Sequence, residues 1–408
     1  MNLRTRFAII LGKLVSVIST TFHLGAGATW PGEIALRIQP GILRFLSQNA
    51  EHIILVAGTN GKTTTVKMIE TILTATGRTV TRNASGANLD NGLISTFLAH
   101  PHADYYIFEV DEATLPNILK DLTPEIIVLT NLFRDQLDRY GEVDTIAEKW
   151  GVALAGLERQ TIVIVNADDP HLAFIGSKVP AKVTYFGLEN PMLFLPKMQH
   201  ATDTIYCPSC GARLTFAGVY FSHLGKWACG NCSFVPPKED VTSADFISPL
   251  EGVYNTYNTL AAALTAIVLG VSKSDIREAL THFIPAFGRM ETVGNKTILL
   301  SKNPTGFNES LRTVFQSGIK GPVLVALNDR IPDGRDVSWI WDVDFEQYRG
   351  FTYYVSGDRA LDMALRLKYA GSTKFSIVHT IPSDTRWILP TYSAMLDIRK
   401  ILTGRKIL

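Results

Sequence analysis

Short apolar runs alternate with helical stretches along most of the chain from residue 52 onward. The runs are nearly continuous in apolarity and rich in isoleucine and valine, which is typical of parallel strands buried on both faces. In the first half they are HIILVAG, YYIFEV, EIIVLTN and TIVIVNA. Helical periodicity between them, as at 64–76 and 145–157, predicts helices that cover the sheet. The pattern therefore predicts an α/β fold built on a parallel sheet.

The alternation breaks at about residues 200–240, where cysteine, glycine and proline cluster, and resumes with a helical pattern at 258–269. After Arg289 a second series of apolar runs follows: TILLSK, VLVALN, FTYYVSG and FSIVHT. These changes predict three units. They are a helical N-terminal segment (1–45), a nucleotide-binding domain with an insertion at about 200–240 (46–295), and a smaller α/β domain (296–408).

The N-terminal segment superficially imitates a signal peptide, since Arg4 and Arg6 precede the apolar run FAIILGKLVSVI. Lys13 interrupts that run, no small-residue cleavage site follows closely, and the run is shorter than the roughly 20 residues that span a bilayer. Apolar side chains instead recur at helical spacing, at Phe7, Leu11, Leu14 and Ile18. This spacing predicts an amphipathic helix in a cytoplasmic protein, and it leaves contact with the inner face of the membrane open.

Composition narrows the class of protein. Hydrophobic residues make up 46% of the 408 residues and charged residues 19%, which excludes disorder for most of the chain. The 39 Lys and Arg residues nearly balance the 38 Asp and Glu residues, so the chain lacks the basic footprint of a nucleic-acid-binding protein. Four cysteines are too few for a secreted disulfide scaffold of this length.

A glycine-rich loop, GTNGKTT at 58–64, follows the first apolar run directly and begins a helix, although Val56 stands where the general motif has its first glycine. Backbone N–H groups of such a loop bind phosphate oxygens, and the helix N-terminus favours negative charge. Lys62 is expected to reach the outer phosphates of a nucleotide, and the Thr63 hydroxyl to bind Mg²⁺. The predicted nucleotide-binding residues of the loop are Thr59, Asn60, Gly61, Lys62, Thr63 and Thr64.

A second magnesium ligand is expected from an acidic residue, because Mg²⁺ prefers near-octahedral oxygen ligation. Glu109 ends the run YYIFEV, and ligands bind beyond the carboxyl ends of strands in open α/β sheets. Asp111 and Glu112 follow at once, so a solvated acidic strand end is the alternative interpretation.

All four cysteines fall within 26 consecutive positions, as two C-x-x-C pairs separated by 18 residues. Four thiolates at this spacing are typical of a closed tetrahedral Zn²⁺ site, which makes the predicted zinc structural. The predicted ligands are Cys207, Cys210, Cys229 and Cys232. Gly211 and Gly230 are expected to let the backbone turn tightly under each pair. A redox pair and a nucleic-acid-binding ribbon are the alternatives.

Several segments resemble, in order, motifs of the Mur ligase family, the ATP-dependent enzymes of peptidoglycan assembly. They are GTNGKTTT, EVDEA, TNLFRDQLDRYGE, NADDP, YNTYN, FGRME and KNPTG. The resemblance covers nearly everything from residue 30 onward, and it implies a central P-loop ATPase domain followed by a smaller Rossmann-like domain. It also implies that Asn255 and Asn258 hold the adenine or ribose of ATP. Arg289 is implied to join Lys62 in neutralising the transferred phosphoryl group.

Departures from the family pattern narrow the resemblance. Gln136 stands where most members carry a metal-linked histidine. Lys149 lies one residue short of the carbamylated lysine of several members, so an exposed helical lysine is expected there. Because the phosphate loop already begins at Gly58, the large N-terminal domain with which other members grip a UDP-linked substrate is not expected here. The stretch ALNDRIPDGRDVSWIWDVDFE, the segment DQLDRYGE and the cysteine insertion instead resemble an amidating branch of the family.

That branch implies ATP-dependent amidation of the α-carboxylate of D-glutamate in the lipid II stem peptide, through an acyl phosphate, to D-isoglutamine. Free ammonia is scarce at neutral pH, so a glutaminase partner is expected, and no cysteine of this chain lies outside the quartet. The resemblance to that branch implies that the partner is a subunit of the GatD type. An aspartate of this chain is then implied to orient the partner's catalytic histidine. Asp336 is the predicted residue, and Asp333, Asp342 and a merely solvated turn are the alternatives.

Two other functions stay open from the sequence. One is a Mur- or folylpolyglutamate-type ligase that joins an amino acid to a carboxylate, against which the missing UDP-binding domain and Gln136 count. The other is a non-catalytic module that binds ATP and zinc. Such a module would bind nucleotide tightly without glutamine-dependent ATP turnover.

Overall fold

The computed structural model describes residues 3–21, 29–84, 86–135, 142–318 and 321–404. The larger domain is built on seven strands: β1 (His52–Ala57), β2 (Val80–Arg82), β3 (Tyr105–Val110), β4 (Ile126–Leu129), β5 (Ile162–Asn166), β6 (Lys182–Gly187) and β9 (Val241–Thr242). They form one sheet in the order β2-β3-β1-β4-β5-β6-β9, and every neighbouring pair is parallel. The predicted α/β fold with a parallel sheet is confirmed.

Helices cover both faces of this sheet because successive strand residues point to opposite faces. These helices are α4 (Lys62–Ala75), α5 (Asp90–Ala99), α6 (Leu115–Asp121), α7 (Val143–Ala155), α8 (Pro170–Gly176), α9 (Val253–Val268) and α10 (Lys273–Thr281). Ile54 and Val56 of β1 pack on one face with α4, α9 and α10, whereas Ile53 and Leu55 pack on the other with α5 to α8.

Three helices precede the sheet: α1 (Leu3–Thr21), α2 (Trp30–Ile38) and α3 (Ile42–Ser47). Helix α1 packs on both α2 and α5, and it forms an outer layer of the domain. No helix among the described residues is long and apolar enough to cross a membrane.

The cysteine-containing insertion forms an antiparallel hairpin of β7 (Thr215–Phe221) and β8 (Leu224–Ala228), preceded by a 3₁₀ turn at Pro191–Leu193. The buried ring of Trp227 packs on Phe234, which gives this small unit its own apolar centre. The chain then returns to the large sheet as β9.

The smaller domain has six strands: β10 (Arg289–Val293), β11 (Lys296–Leu299), β12 (Val323–Ala326), β13 (Tyr353–Ser356), β14 (Phe375–Ile377) and β15 (Trp387–Pro390). Their order is β10-β11-β15-β12-β13-β14, parallel except for the β10–β11 pair. Its helices are α11 (Pro304–Gln316), α12 (Ala360–Tyr369) and α13 (Tyr392–Thr403), with 3₁₀ turns at Ser338–Asp342 and Phe345–Tyr348. This sheet begins at Arg289, earlier than the predicted boundary at 296, because β10 pairs with β11.

Candidate functional site

The glycine-rich loop between β1 and α4 has a backbone that only glycine adopts readily. Gly58 has φ +141° and Gly61 has φ +87°, both in the left-handed half of conformational space. A Cβ added to Gly61 would lie 2.0 Å from Oδ1 of Asn258, and one on Gly58 would lie 2.1 Å from Oγ1 of Thr130. The loop is therefore packed too closely for any side chain at these positions. The N-terminus of α4 opens beside it, where an anion is favoured.

Lys62, the first residue of α4, is buried at the floor of the cleft. Its ammonium donates to the carbonyl oxygens of Gly58 and Thr59 and lies 3.1 Å from Oε2 of Glu112. Burial alone would lower the pKa of Lys62, but the neighbouring carboxylates, Glu112 foremost, raise it above its ordinary value. The lysine is thus held protonated at a position next to the loop.

Thr63 and Glu109 meet across the end of the sheet. The Thr63 hydroxyl donates to Oε2 of Glu109 at 2.7 Å, and Asn83 bonds both the N–H and the carbonyl oxygen of Glu109. Thr63 and Glu109 line an open cleft of about 1200 Å³. Three further carboxylates line the same cleft, those of Asp111, Glu112 and Asp135. Hydroxyl and carboxylate oxygens are the ligands that Mg²⁺ prefers, so these residues fit the predicted magnesium site.

A second cavity of about 690 Å³ adjoins the loop and lies between the two domains. Asn255 and Asn258 of α9 line it, and their side chains are joined by a hydrogen bond of 3.2 Å. Arg289, at the start of β10, lines both this cavity and the cleft. Burial lowers the pKa of Arg289, and the carboxylate of Glu109 opposes that shift. The predicted nucleotide-binding residues thus surround one continuous region.

The remaining loop residues have different contacts. The Thr59 hydroxyl accepts a hydrogen bond from the N–H of Phe133 at 3.0 Å, so this side chain shapes the loop. Thr64 lines the second cavity. The amide of Asn60 pairs reciprocally with that of Asn303 at 3.0 and 3.3 Å. This pair joins the loop to the N-terminus of α11 in the smaller domain.

Two groups near the loop escape prediction from sequence. Lys302 forms an ion pair with Asp135 across the domain boundary. Its motif KNPTG marked the region, but nothing in the sequence marked Asp135 as its partner.

Glu309 on α11 lines the second cavity, and neither of its carboxylate oxygens has a hydrogen-bond partner among the described residues. Burial raises the pKa of Glu309 to about 7, and two neighbours oppose the shift: Arg312, which lies 3.8 Å away, and the side-chain amide of Gln199. Arg312 in turn donates to the carbonyl oxygens of Tyr220 and Leu193. The only sequence signal for this pair was two opposite charges three residues apart on a helix.

The three candidate aspartates differ in their surroundings. Asp333 is buried and accepts hydrogen bonds from the N–H and hydroxyl of Ser393 at the start of α13. Asp342 lies 3.2 Å from the guanidinium of Arg134. Asp336 is exposed, and Ser338 donates to both of its oxygens at 2.8 and 2.9 Å. All three line one surface cavity of about 570 Å³.

The four cysteine sulfurs lie within 4.8 Å of one another. Sγ of Cys207 is 3.7 Å from that of Cys232, and Sγ of Cys210 is 3.5 Å from that of Cys229. Sulfurs at about 2.3 Å from one tetrahedral metal ion would be about 3.8 Å apart, so the quartet fits such an ion, whereas a disulfide requires about 2.05 Å.

Gly211 and Gly230 were both expected to let the backbone turn tightly beside the cysteines, and only Gly211 has the conformation that favours glycine. Gly211 has φ +75°, but Gly230 does not have a positive φ. In the second pair it is Ser233, with φ +58°, that follows the second cysteine in the left-handed conformation. In both turns the residue in the left-handed conformation is therefore the one just after the second cysteine, a glycine in the first turn and a serine in the second.

Of the two departures from the family motifs, Lys149 is exposed on α7 and does not line the cleft. Gln136 lies outside the described residues, as does the rest of 136–141.

Comparison with known families matches residues 56–266 to the Mur ligase middle domain and residues 300–395 to the MurT ligase C-terminal domain. The lipid II isoglutaminyl synthase (glutamine-hydrolyzing) subunit MurT of Streptococcus pneumoniae is 32% identical, over 100% of this chain and 99% of its own length. The same subunit of Staphylococcus aureus is 32% identical over 89% of this chain and 87% of its own.

Among solved structures, a pseudomurein peptide ligase type C from Methanothermus fervidus has a similar fold. Its TM-score is 0.68 at 21% identity, with 87% of this chain and 79% of that chain covered.

Proposed function

Because the chain belongs to the MurT family of Mur ligases, we propose that it is the ligase subunit of a glutamine-dependent enzyme that amidates the stem peptide of lipid II. The family resemblance inferred from the motifs is confirmed by the two family matches and by the 32% identity to a MurT subunit over the full length of the chain. The observation that carries the proposal is the cleft in which Lys62, Thr63 and Glu109 meet Arg289. It offers cationic groups and oxygen ligands at the end of a parallel sheet, as ATP-dependent phosphoryl transfer requires.

In the first step an oxygen of the D-glutamate α-carboxylate attacks the γ-phosphorus of ATP, the bond to the β,γ-bridging oxygen breaks, and ADP leaves. The product is an acyl phosphate. Lys62 exchanges the loop carbonyls for phosphate oxygens, and Arg289 faces the same charge from the smaller domain. Thr63 and Glu109 would hold Mg²⁺, which would supply further positive charge at the phosphates. Asn255 and Asn258 line the cavity that would receive the adenosine part.

In the second step ammonia attacks the carbonyl carbon of the acyl phosphate. The tetrahedral intermediate expels inorganic phosphate, and the nitrogen loses a proton to leave the amide of D-isoglutamine. Every cysteine of the sequence lies in the quartet, so the thiol that hydrolyses glutamine comes from a partner subunit of the GatD type.

Asp336 is proposed as the residue that faces the partner's histidine. Two features support it over the alternatives. Asp333 is buried against Ser393 at the start of α13, and Asp342 already has a cationic partner, Arg134. The exposed Asp336 keeps its carboxylate oriented through Ser338. Trp341, which is 46% exposed, lies in the 3₁₀ turn that follows Asp336 and would be an apolar anchor for such an interface.

The cysteine quartet is proposed to hold one structural Zn²⁺. The support is the compact arrangement of the four sulfurs around a common point. With four thiolate ligands the ion would have no open position for a substrate.

The test is to incubate the chain with a GatD-type partner, lipid II, ATP, Mg²⁺ and glutamine, and to follow the lipid by mass spectrometry. Amidation with glutamine, and with an ammonium salt in its place, is expected; no change with either donor would refute the proposal.

For the aspartate, Asp336→Asn should abolish glutamine-supported amidation and spare ammonium-supported amidation. Asp384→Asn is the matched control, because Asp384 is also exposed and accepts from a single side chain, that of Tyr354. Equal loss with both donors in the Asp336 variant would contradict its proposed place at the partner interface.

A further inference from the structure

Helix α1 packs on the protein through its small side chains. Its buried residues are Thr5, Ala8, Gly12 and Ser19. A Cβ on Gly12 would lie 2.7 Å from Cδ1 of Leu98 and 3.2 Å from the carbonyl oxygen of Pro31. The helix therefore approaches α2 and α5 closely, through a face that offers little apolar area.

The large apolar side chains of α1 point the other way. They are 41–85% exposed and comprise Leu3, Phe7, Ile10, Leu14, Val17 and Ile18. Leu3, Phe7, Ile10 and Leu14 follow the spacing i, i+4, i+7, i+11, which places them in one stripe along the helix. Of the apolar face predicted from the sequence, Phe7, Leu14 and Ile18 are thus turned towards solvent, whereas Leu11 is half-buried. A contiguous exposed apolar surface of this kind marks an interaction site.

The charges beside this stripe have one sign. Helix α1 carries Arg4, Arg6 and Lys13 and no acidic residue. At 100° per residue, Arg4 lies at one edge of the stripe and Arg6 and Lys13 at the other. Arg4 donates to the carbonyl oxygen of Ile38, whereas the side chains of Arg6 and Lys13 are exposed. A row of apolar groups between cationic edges complements a surface that is apolar inside and anionic at its rim.

We propose that α1 docks the protein on an anionic lipid bilayer, with the stripe of Leu3, Phe7, Ile10 and Leu14 among the acyl chains and Arg6 and Lys13 at the headgroup phosphates. Because cationic residues flank the apolar stripe on both edges, α1 would lie in the plane of the interface, as amphipathic helices with a cationic polar border do. The proposal goes beyond the amidation reaction, because vesicle binding requires neither ATP nor a stem peptide.

The test is flotation of the full chain, alone and with its glutaminase partner, on vesicles of phosphatidylglycerol and phosphatidylcholine in equal parts and on vesicles of phosphatidylcholine alone. Binding to the anionic vesicles is expected, and it should weaken when salt rises from about 0.1 M to about 1 M, which shortens the Debye length from about 10 Å to about 3 Å.

Two variants separate the contributions. The double variant Phe7→Ser, Leu14→Ser should lower vesicle affinity by about tenfold or more, since it removes two apolar groups from the inserted face. Arg6→Glu with Lys13→Glu should lower affinity for anionic vesicles by about 30-fold or more, from about 1 kcal/mol per cation at such a surface. The matched control is Met192→Ser with Ile247→Ser, which removes two apolar side chains that are 89% and 91% exposed elsewhere.

Equal binding by the wild type and the Phe7, Leu14 variant, or no binding by the wild type, would overturn the proposal. The proposal would also be overturned if the wild type formed a dimer, or a complex with the partner subunit, that was lost in the Phe7→Ser, Leu14→Ser variant. The stripe would then be a protein interface. Amidation of a water-soluble stem-peptide substrate should be unchanged in these variants, and that assay tells failure of docking from failure of the ligase function.

Discussion

Replacing Glu309 by glutamine should stabilise the protein at neutral and alkaline pH. The side chain is 2% exposed, and burial raises its pKa from an ordinary 4.5 to about 7. In the unfolded chain the carboxyl ionises near its ordinary pKa. Folding therefore opposes the ionisation of Glu309. The contribution of this side chain to the free energy of unfolding is fully present below pH 4.5, where the carboxyl is neutral in both states, and it is lost as the pH rises through 7. A difference of roughly 2.5 pKa units corresponds to about 3 kcal/mol in the free energy of unfolding.

Glu309→Gln keeps the shape of the side chain and removes the charge. The variant should unfold at higher urea concentration than the wild type at pH 8, by up to about 3 kcal/mol in free energy, and the difference should shrink towards pH 5. Urea titrations followed by tryptophan fluorescence at several pH values measure this difference. Glu278→Gln, at an exposed position on α10, is the control and should give no such trend. If the difference in the free energy of unfolding between variant and wild type did not vary with pH, or if the variant were less stable at pH 8, the raised pKa of Glu309 would be contradicted.

Three further predictions concern the loop and the cysteines. Lys62→Met should lower ATP turnover, measured as ADP release, by about 100-fold or more, because it removes the positive charge that faces the transferred phosphoryl group. The fold should survive, because a neutral side chain at this position leaves Glu112 free to protonate. Gly61→Ala should weaken nucleotide binding by about tenfold or more in calorimetry, because its Cβ would meet Oδ1 of Asn258 at 2.0 Å; unchanged affinity would contradict the loop geometry. Elemental analysis should find one zinc per chain, and Cys210→Ser should lower that content and the thermal midpoint together; a metal-free wild type purified under reducing conditions would exclude the zinc site.

Features that are local in sequence were predictable. The strands β1, β3, β4 and β5 are short apolar runs, so their positions follow from pattern alone. The phosphate loop and the two C-x-x-C pairs are likewise local, because their chemistry requires fixed residue types a few positions apart.

Contacts between distant parts of the chain were not predictable. The Asn60–Asn303 pair joins residues 243 positions apart, and Asp135 meets Lys302 only because the two domains close on each other. Glu309 looked like any helical glutamate, since burial depends on the packing of the insertion and of α11.

The face of α1 that turns inward was not predictable from the spacing of its apolar residues. Helical spacing identified which apolar residues share a face, but not that the small residues Ala8 and Gly12 form the contact with the domain. Close packing at Gly12 decides which face turns inward, and this depends on the shape of α2 and α5.

The most direct test of the proposed function uses glutamine labelled with ¹⁵N at the side-chain amide. The chain, a GatD-type partner, lipid II, ATP and Mg²⁺ are incubated, and fragmentation mass spectrometry locates the label. We expect ¹⁵N in the amide at the α-carboxyl of the D-glutamate residue, with ADP and phosphate formed in equal amounts. Label elsewhere in the stem peptide, or ATP hydrolysis without transfer of nitrogen to lipid II, would contradict the proposed function.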